Sequence, residues 1–289
     1  MPSTNLYRST NLVPQSVLLS TGKVRCIDTG GSGPAVLLTH GIGESLEFWQ
    51  PQIEALGKMM RLVAWDMPGH GESDIPTAAM DLQALARSAW LLLDHLGIES
   101  AHLVGNSLGG AVSLRMLGQQ ASRVRSLLLA NSATLGPEVF GAFKVMTLPL
   151  LGELMNKPST KGVEMQVKAL VHRAHAITPS VRAAIERNIY RPGAAAYFLA
   201  TLRMISGLRG QSEVAWKETH QLLRQVKIPT LVLHGKQDTV VPFKHSEQAH
   251  ALVPGSELQI WENCGHTPQL EMPDAFNAQL AALVQRTVP

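Results

Sequence analysis

Short apolar runs alternate along this 289-residue chain with longer segments whose apolar residues recur at helical spacing. The runs are rich in leucine or β-branched residues, and nearly all end in Gly, Asp, Asn or His. We predict strands at QSVLLS, KVRCIDTG, AVLLTHG, RLVAWDMPG, AHLVGNS, VRSLLLANS, TLVLHGKQD and ELQIWENCGH. Strands that are apolar throughout and separated by helices predict an α/β fold, with a mostly parallel eight-stranded sheet covered by helices on both faces.

The helical segments fall into two groups. Four of them, 81–97, 108–120, 243–253 and 273–285, lie between or after predicted strands, and the first two strands form an antiparallel hairpin. Between 134 and 224 no run resembles a central strand, and 12 Lys or Arg accompany 6 Asp or Glu. We therefore predict a core, 1–133 and 225–289, and a basic helical cap, 134–224, inserted over the strand ends.

Composition excludes several classes of protein. Hydrophobic residues make up 45% of the chain and charged residues 16%, as in globular enzymes, and the net charge of +3 is too small to indicate nucleic-acid binding. Two cysteines allow no disulfide framework. The N-terminus lacks the apolar core of a signal peptide, and no run of 18 apolar residues occurs. We expect a cytoplasmic protein with no membrane span.

The segment LVGNSLGGAVSL contains the pattern G-x-S-x-G at Gly105, Ser107 and Gly109. A predicted strand precedes it and a predicted helix follows. A sharp strand-to-helix turn would hold the serine in a strained conformation above the sheet, with glycines two residues either side to prevent collisions. The alternative is a turn of small residues that only lets the helix pack on its strand. We predict a nucleophile at Ser107.

A serine needs a base, and the base needs a group that orients it. Asp238 follows the predicted strand in PTLVLHGKQD, and His266 follows the next one in LQIWENCGH. The carboxyl ends of parallel strands share one sheet edge, so both residues should lie beside Ser107. An acyl-transfer site also requires oxyanion donors. For these we predict the backbone amides of Ile42 and Leu108, with His40 orienting the loop THGIGES.

These motifs resemble those of the α/β-hydrolase superfamily, over nearly the whole chain: HGIG, DMPGHGESD, GNSLGG, HGKQDTVVP and NCGHTPQLEMP. The resemblance implies a serine hydrolase. GNSLGG and CGH are similar to meta-cleavage-product C–C hydrolases, which typically have HGxGPG and a tryptophan after the histidine. Here the loop is HGIGES and Thr267 follows His266, so the chain looks closer to carboxylesterases and enol-lactone hydrolases.

We therefore expect hydrolysis of a small carboxylic ester or lactone through an acyl-enzyme, with no metal or organic cofactor. C–C hydrolysis of a vinylogous diketone is the main alternative. A receptor that keeps the triad, and cofactor-free oxygenation or perhydrolysis, are further ones. The expected partner is a small molecule with a carbonyl, and a homodimer stays open.

Several other residues have competing interpretations. His172 and His175 stand at helical spacing, but no third metal ligand lies nearby in sequence, so we expect no metal site. Cys264 would be a nucleophile only if Ser107 were not. The apolar stretch 140–155 is expected to line an acyl pocket, with a bilayer interface as the alternative. Arg187 lies where cap arginines of the C–C hydrolases bind a carboxylate, so it is a candidate substrate-binding residue.

Overall fold

A computed structural model describes residues 13–287 of the chain. The segment 1–12, from which we predict the absence of a signal peptide, lies outside the described residues. The strands are β1 Gln15–Leu19, β2 Gly22–Asp28, β3 Ala35–Thr39, β4 Arg61–Trp65, β5 Ala101–Asn106, β6 Val124–Ala130, β7 Ser206–Gly207, β8 Gly210–Gln211, β9 Thr230–Gly235 and β10 Glu257–Trp261.

Eight strands form one sheet, in the order β1-β2-β4-β3-β5-β6-β9-β10. The first hairpin is antiparallel, β2 pairs antiparallel with β4, and all remaining pairs are parallel. β7 and β8 form a separate two-stranded ribbon. The predicted α/β fold with a mostly parallel eight-stranded sheet is therefore confirmed.

The helices surround this sheet and fill the interval between β6 and β9. They are α1 Gln50–Leu56, α2 Leu82–His95, α3 Leu108–Gln119, α4 Gly141–Met146, α5 Leu151–Met155, α6 Thr160–Leu170, α7 Pro179–Tyr190, α8 Ala194–Ile205, α9 Glu213–Leu223, α10 Lys244–Leu252, α11 Pro268–Glu271 and α12 Pro273–Gln285. Three single 3-10 turns lie at Leu46–Trp49, Ala121–Arg123 and Ala174–Ala176. The four helices predicted outside the cap correspond to α2, α3, α10 and α12.

The central strands are buried on both faces, which explains why their sequences are apolar without alternation. In β3, Leu37 packs on the face that α2 and α3 cover, whereas Val36 and Leu38 pack on the face that α1 and α12 cover. The capping of α2 follows from its sequence, because the side chain of Asp81 accepts a hydrogen bond from the amide of Ala84 at 2.6 Å.

The chain from α4 to α9, with the β7–β8 ribbon, contributes no strand to the eight-stranded sheet of the described chain. The last of these helices rests on the core: Arg115 of α3 is fully buried and donates to Thr219 Oγ1 at 2.5 Å and to the carbonyl of Ala215 at 2.8 Å. The predicted cap, 134–224, thus includes one helix that packs against α3, and the division into core and cap stays a prediction; we use the word cap for the segment 134–224. In residues 13–287 no helix combines the length and apolar character needed to cross a membrane.

Candidate active site

Ser107 occupies a strained turn between β5 and α3. Its backbone has φ +53° and ψ −118°, a region that residues with a side chain rarely adopt. The glycines around it are required by contact: a Cβ at Gly105 would come within 2.3 Å of the Gly109 carbonyl, and one at Gly109 within 2.0 Å of the Thr39 carbonyl oxygen. The turn therefore has the geometry that the G-x-S-x-G pattern predicts.

Hydrogen bonds hold this turn between neighbouring strands. The amide of Ser107 donates to the carbonyl of Ala130 at 3.0 Å, and the Ser107 carbonyl accepts from the amide of Ala133 at 2.9 Å. Ser107 is only 4% exposed and lines a cavity that His266 also lines. The structure thus brings the predicted nucleophile and base to one cavity.

The imidazole of His266 is bonded to the carboxylate of Asp238, with 2.7 Å between Nδ1 and Oδ2. The ring is 2% exposed, and burial alone would lower the pKa of His266. The charge of Asp238 and this hydrogen bond outweigh burial, so the pKa of His266 is raised above its usual range. Asp238 thereby assigns the Nδ1 proton, leaving Nε2 free of that bond and available as a proton acceptor.

Four further donors surround the Asp238 carboxylate. Oδ1 accepts from the amides of Val240 and Val241 at 2.7 and 3.1 Å. Oδ2 also contacts Asn131 Nδ2 at 2.7 Å and His234 Nε2 at 3.1 Å. Burial opposes ionisation, but the two histidines and their bonds lower the pKa of Asp238 well below its usual range. Asp238 is therefore held as a carboxylate.

Sequence reasoning missed Asn131 and His234, although a signal was present. Both stand at the carboxyl ends of buried strands, β6 and β9, where polar residues are otherwise scarce. His234 also contacts Ser246 Oγ at 2.7 Å through its second ring nitrogen, so the imidazole is oriented at both ends. Both side chains contact Oδ2, the oxygen that also bonds His266, and they thereby help to position the Asp238 carboxylate.

The loop after β3 carries the predicted oxyanion donors. His40 is buried, its Nδ1 donates to the carbonyl of Gly41 at 2.7 Å, and its Nε2 accepts from the amide of Met67 at 3.1 Å. His40 therefore orients this loop by side-chain hydrogen bonding, as the sequence predicts. Ile42 lines the cavity, and Leu108 is the first residue of α3, directly after Ser107. Oxyanion binding by these two amides stays a prediction.

Glu44, in the same loop, was not predicted to have a role. Its carboxylate accepts from the amide of Gly41 at 2.8 Å, and it lines the cavity with Ser107 and His266. Burial raises the pKa of Glu44 to about 7, although the neighbouring His266 and the Gly41 amide act in the opposite direction. This carboxyl group consequently changes charge near neutral pH, close to the imidazole.

The cavity has a volume of about 170 Å³ and a predominantly apolar wall. Most of its wall comes from the cap, chiefly Phe140, Phe143, Met146, Met155, Met165, Ile189 and Phe198. Phe143 and Phe198 face each other with ring centroids 6.4 Å apart. Among the described residues that line the cavity there is no arginine, and Glu44 and Lys157 are the only Asp, Glu, Lys or Arg.

Arg187 lies outside this lining. Its Nη1 donates to Glu47 Oε1 at 3.0 Å and its Nη2 contacts Ser45 Oγ at 3.2 Å. Glu47 is buried and also bonded to Arg25 at 2.7 Å; burial opposes its ionisation, but the two arginines lower the pKa of Glu47 to about 2. The guanidinium of Arg187 therefore joins α7 to the loop after β3, and substrate binding by this residue stays a prediction.

Asp66 and Cys264 lie near the site but are accounted for by their own surroundings. In the DMPGHGESD loop, Asp66 is fully buried and accepts from the amides of Leu46 and Glu72 at 2.7 and 2.8 Å. Asp66 therefore joins its own loop to the segment that begins at Leu46. The Cys264 thiol is buried and unbridged, and burial raises its pKa far above the usual range, so it is not a reactive thiolate.

Comparison with known proteins agrees with this architecture. A family model described as alpha/beta hydrolase fold matches residues 34–273. A 2-hydroxy-6-oxononadienedioate/2-hydroxy-6-oxononatrienedioate hydrolase of Comamonas testosteroni is 31% identical, over 87% of this chain and 87% of that protein. The 2-hydroxy-6-oxo-6-phenylhexa-2,4-dienoate hydrolase of a Rhodococcus species superposes with a TM-score of 0.80 at 22% identity, covering 95% of this chain and 99% of its own.

A carboxylesterase of Bacillus subtilis is also similar in structure, with a TM-score of 0.73 and 26% identity over 95% of this chain and 92% of its own. The range that the family model matches contains the strained serine turn, the buried aspartate and the histidine bonded to it. Similar chains thus include both C–C hydrolases and an esterase. This chain belongs to the α/β-hydrolase family.

Proposed function

We propose that this chain is a serine hydrolase that cleaves neutral carboxylic esters or lactones with an apolar acyl group, through an acyl-enzyme on Ser107. The observation that carries the proposal is the cavity: an apolar wall closes over Ser107 and His266, and no arginine of the described chain lines it. An apolar acyl group gains by leaving water for such a wall. An anionic one would lose its hydration there and meet one cationic side chain in the lining, Lys157, together with the Glu44 carboxyl.

The first half of the reaction uses the pair His266 and Asp238. His266 Nε2 accepts the proton of Ser107 Oγ as this oxygen attacks the substrate carbonyl carbon. Asp238, held as a carboxylate, stabilises the imidazolium that forms. The resulting oxyanion accepts hydrogen bonds from the amides of Ile42 and Leu108; loss of one such donor typically lowers kcat by about 10²–10³-fold.

The second half releases both products. The imidazolium protonates the leaving alcohol as the tetrahedral intermediate collapses to the Ser107 ester. A water molecule then gives a proton to His266 and attacks the acyl carbon, and the acid departs as Ser107 recovers its proton. These steps require no metal ion and no organic cofactor.

C–C hydrolysis of a meta-cleavage-type vinylogous diketone is the second candidate, favoured by the 31% identity to the Comamonas testosteroni dienedioate hydrolase. Such a substrate carries carboxylate groups. Arg187, the residue predicted to bind a substrate carboxylate, is bonded to Glu47 instead. The Glu44 carboxyl lines the cavity. These two features favour the ester over the dienoate.

The test is a parallel assay of p-nitrophenyl butyrate, a γ-lactone and a 2-hydroxy-6-oxodienoate, with Ser107→Ala as control. We expect kcat/KM for the best ester or lactone to exceed that for the dienoate by at least about tenfold. Ser107→Ala should lower kcat by at least about 10⁴-fold. A fluorophosphonate should add its mass to the peptide that contains Ser107. Faster turnover of the dienoate would establish the C–C hydrolase instead, and a single stoichiometric acylation without turnover would indicate a receptor.

A further inference from the structure

The cap presents an unusual concentration of exposed apolar side chains. Of the large apolar residues that are exposed in residues 13–287, seven of thirteen lie between 140 and 165: Phe140, Val145, Leu150, Leu151, Leu154, Met155 and Met165. We call this stretch, 140–165, the apolar rim. Isolated exposed apolar residues are ordinary in globular proteins, whereas a contiguous group marks an interaction site.

The apolar rim is continuous with the cavity. Phe140, Met155 and Met165 are 42%, 39% and 49% exposed, yet each also lines the cavity that holds Ser107. The rim therefore borders an opening of the cavity, which we call the mouth, through which a substrate would reach the serine. Any body that covers the rim either blocks the mouth or supplies the substrate.

Leu150 is the most exposed of these residues, at 83%, and its backbone has φ +68°. Leucine is disfavoured in this left-handed region because its Cβ crowds the backbone. Both the exposure and the conformation are unfavourable for the isolated molecule, and they hold an apolar side chain out at the tip between α4 and α5. Such an outlier is a reason to look for a binding role.

The charges of the rim indicate what it binds. Its two acidic residues are both paired with arginines: Glu153 with Arg203 at 2.7 Å, and Glu164 with Arg182. Its three lysines, Lys144, Lys157 and Lys161, are interspersed in sequence with the apolar residues, and Lys157 and Lys161 are exposed. A stretch that combines exposed apolar side chains with exposed positive charge is complementary to an anionic lipid surface, where headgroups meet cations and acyl chains meet leucine.

We propose that the apolar rim docks on an anionic lipid–water interface, and that the hydrolase takes amphiphilic, long-chain esters from it through the cavity mouth. The substrate half of this proposal rests on the proposed function; the docking half does not. A second copy of the chain is a poorer occupant, because symmetric pairing would oppose two sets of lysines and close the mouth. A lipid surface avoids both problems.

Docking is tested without catalysis. The full chain carrying Ser107→Ala is sedimented with vesicles of phosphatidylcholine, or of phosphatidylcholine and phosphatidylglycerol at a ratio of three to one. We expect binding to the anionic vesicles, weakened by 0.5 M NaCl. Adding Leu150→Ser and Leu154→Ser should weaken partitioning by at least about tenfold, since two leucines no longer enter the apolar layer. Neither leucine lines the cavity.

The matched control replaces two residues outside the rim, Leu18→Ser in β1 and Val214→Ser in α9, which are 77% and 78% exposed, against 83% and 62% for Leu150 and Leu154. This control should bind vesicles as the parent does. An equal loss of vesicle binding in both double variants, or no vesicle binding by the parent, would overturn the proposed docking surface. A concentration-dependent dimer in light scattering that only the rim variant loses, without vesicle binding, would assign the rim to a second copy and also overturn it.

Kinetics separate this proposal from the one on which it rests. In the Ser107 enzyme, the rim variant should hydrolyse soluble p-nitrophenyl butyrate within about twofold of the parent, but emulsified long-chain esters at least about tenfold more slowly. Vesicle binding without hydrolysis of any ester would leave docking standing and remove the proposed function. Hydrolysis of soluble esters without vesicle binding would leave the proposed function standing and remove the docking surface.

Discussion

The cavity has a floor, the turns that carry Ser107 and His266, and a roof, the cap side chains such as Phe143 and Met165. These two regions are built in opposite ways. On the floor, Ser107 and His266 are 4% and 2% exposed. The Ser107 amide donates to Ala130 of β6, and the His266 carbonyl accepts from the side-chain amide of Asn106 in β5 at 3.0 Å. The roof is a layer of flexible or aromatic apolar side chains on short helices, and its outer surface includes Leu150 at 83% exposure. Close contacts restrict which residues can occupy the floor, whereas the roof requires little more than apolar side chains.

This contrast suggests a division of labour between chemistry and selectivity. Proton transfer and oxyanion binding fail when the reacting atoms are displaced by more than a fraction of an ångström. The floor therefore needs close packing and directional bonds. Recognition of an acyl chain depends mainly on apolar area removed from water, which methionine and leucine supply in many arrangements. Substitutions should therefore have sharp effects on the floor and gradual effects in the roof.

The largest contrast should come from adding one methyl group in each region. Gly109→Ala would place Cβ 2.0 Å from the Thr39 carbonyl oxygen, so the turn or β3 must move. We expect the variant to be destabilised by about 2–4 kcal/mol, or to fold with kcat lowered by about 10²-fold or more. Denaturant unfolding and ester hydrolysis measure the two effects.

Gly141→Ala is the matched control in α4 of the cap, because a Cβ there meets no atom within 4 Å. It should leave kcat unchanged and stabilise the chain slightly, by up to about 1 kcal/mol, since alanine favours a helix. If the two substitutions cost the same, the floor is not held by close contact and the comparison fails.

The floor was also the region that sequence could predict. Strand-end placement and the order of Ser107, Asp238 and His266 follow from patterns that a parallel sheet imposes, because its loops converge at one edge. The glycines of the turn are also recognisable in the sequence, because the close contacts of the turn leave no room for a side chain. Local chain geometry and residue type are therefore sufficient to predict that Ser107, Asp238 and His266 reach that edge, but not that Asn131 and His234 bond to Asp238 there.

Side-chain partners between distant elements could not be predicted in this way. Arg187 was expected near the substrate, but its bond to Glu47 depends on how α7 lies against the loop after β3, which no local pattern encodes. Glu44 resembled an ordinary loop residue, and only burial beside His266 gives it an electrostatic effect. The cap differs from the core because its packing is set by tertiary contacts.

A second test concerns the ion pair between Arg187 and Glu47, which connects the two regions. Arg187→Ala removes one of two arginines from the buried Glu47, which keeps Arg25, so we expect a loss of about 1–2 kcal/mol in unfolding free energy. KM should rise equally for acidic and neutral esters if the arginine only anchors the cap. A selective rise in KM for acidic esters would instead support substrate binding by Arg187.

Arg182→Ala is the control for this test, on the same helix, α7. Arg182 pairs with Glu164 and Glu186 in exposed ion pairs, which contribute little to stability. It should lower the unfolding free energy by no more than about 0.5 kcal/mol. A loss equal to that of Arg187→Ala would mean that the buried pair does not join cap and core.

The smallest expected effect concerns charge on the floor itself. As a base, His266 must be neutral, so kcat/KM should fall as pH drops through its pKa, which Asp238 holds above the usual range despite the opposing effect of burial. Glu44 ionises near pH 7, and its negative charge favours the imidazolium and so raises that pKa further. Glu44→Gln keeps an oxygen to accept the Gly41 amide but removes the charge. The acid limb of the kcat/KM profile should therefore move to lower pH.

Glu262→Gln is the control for charge, because Glu262 is exposed beside Lys236 on the loop that leads to His266 and should leave the limb in place. The plateau kcat of Glu44→Gln should stay within about threefold of the parent, since the loop keeps its hydrogen bond. A lower plateau with an unmoved limb would mean that Glu44 acts by bracing the loop rather than by charge. The floor would then depend on contact geometry even where its residues are ionisable.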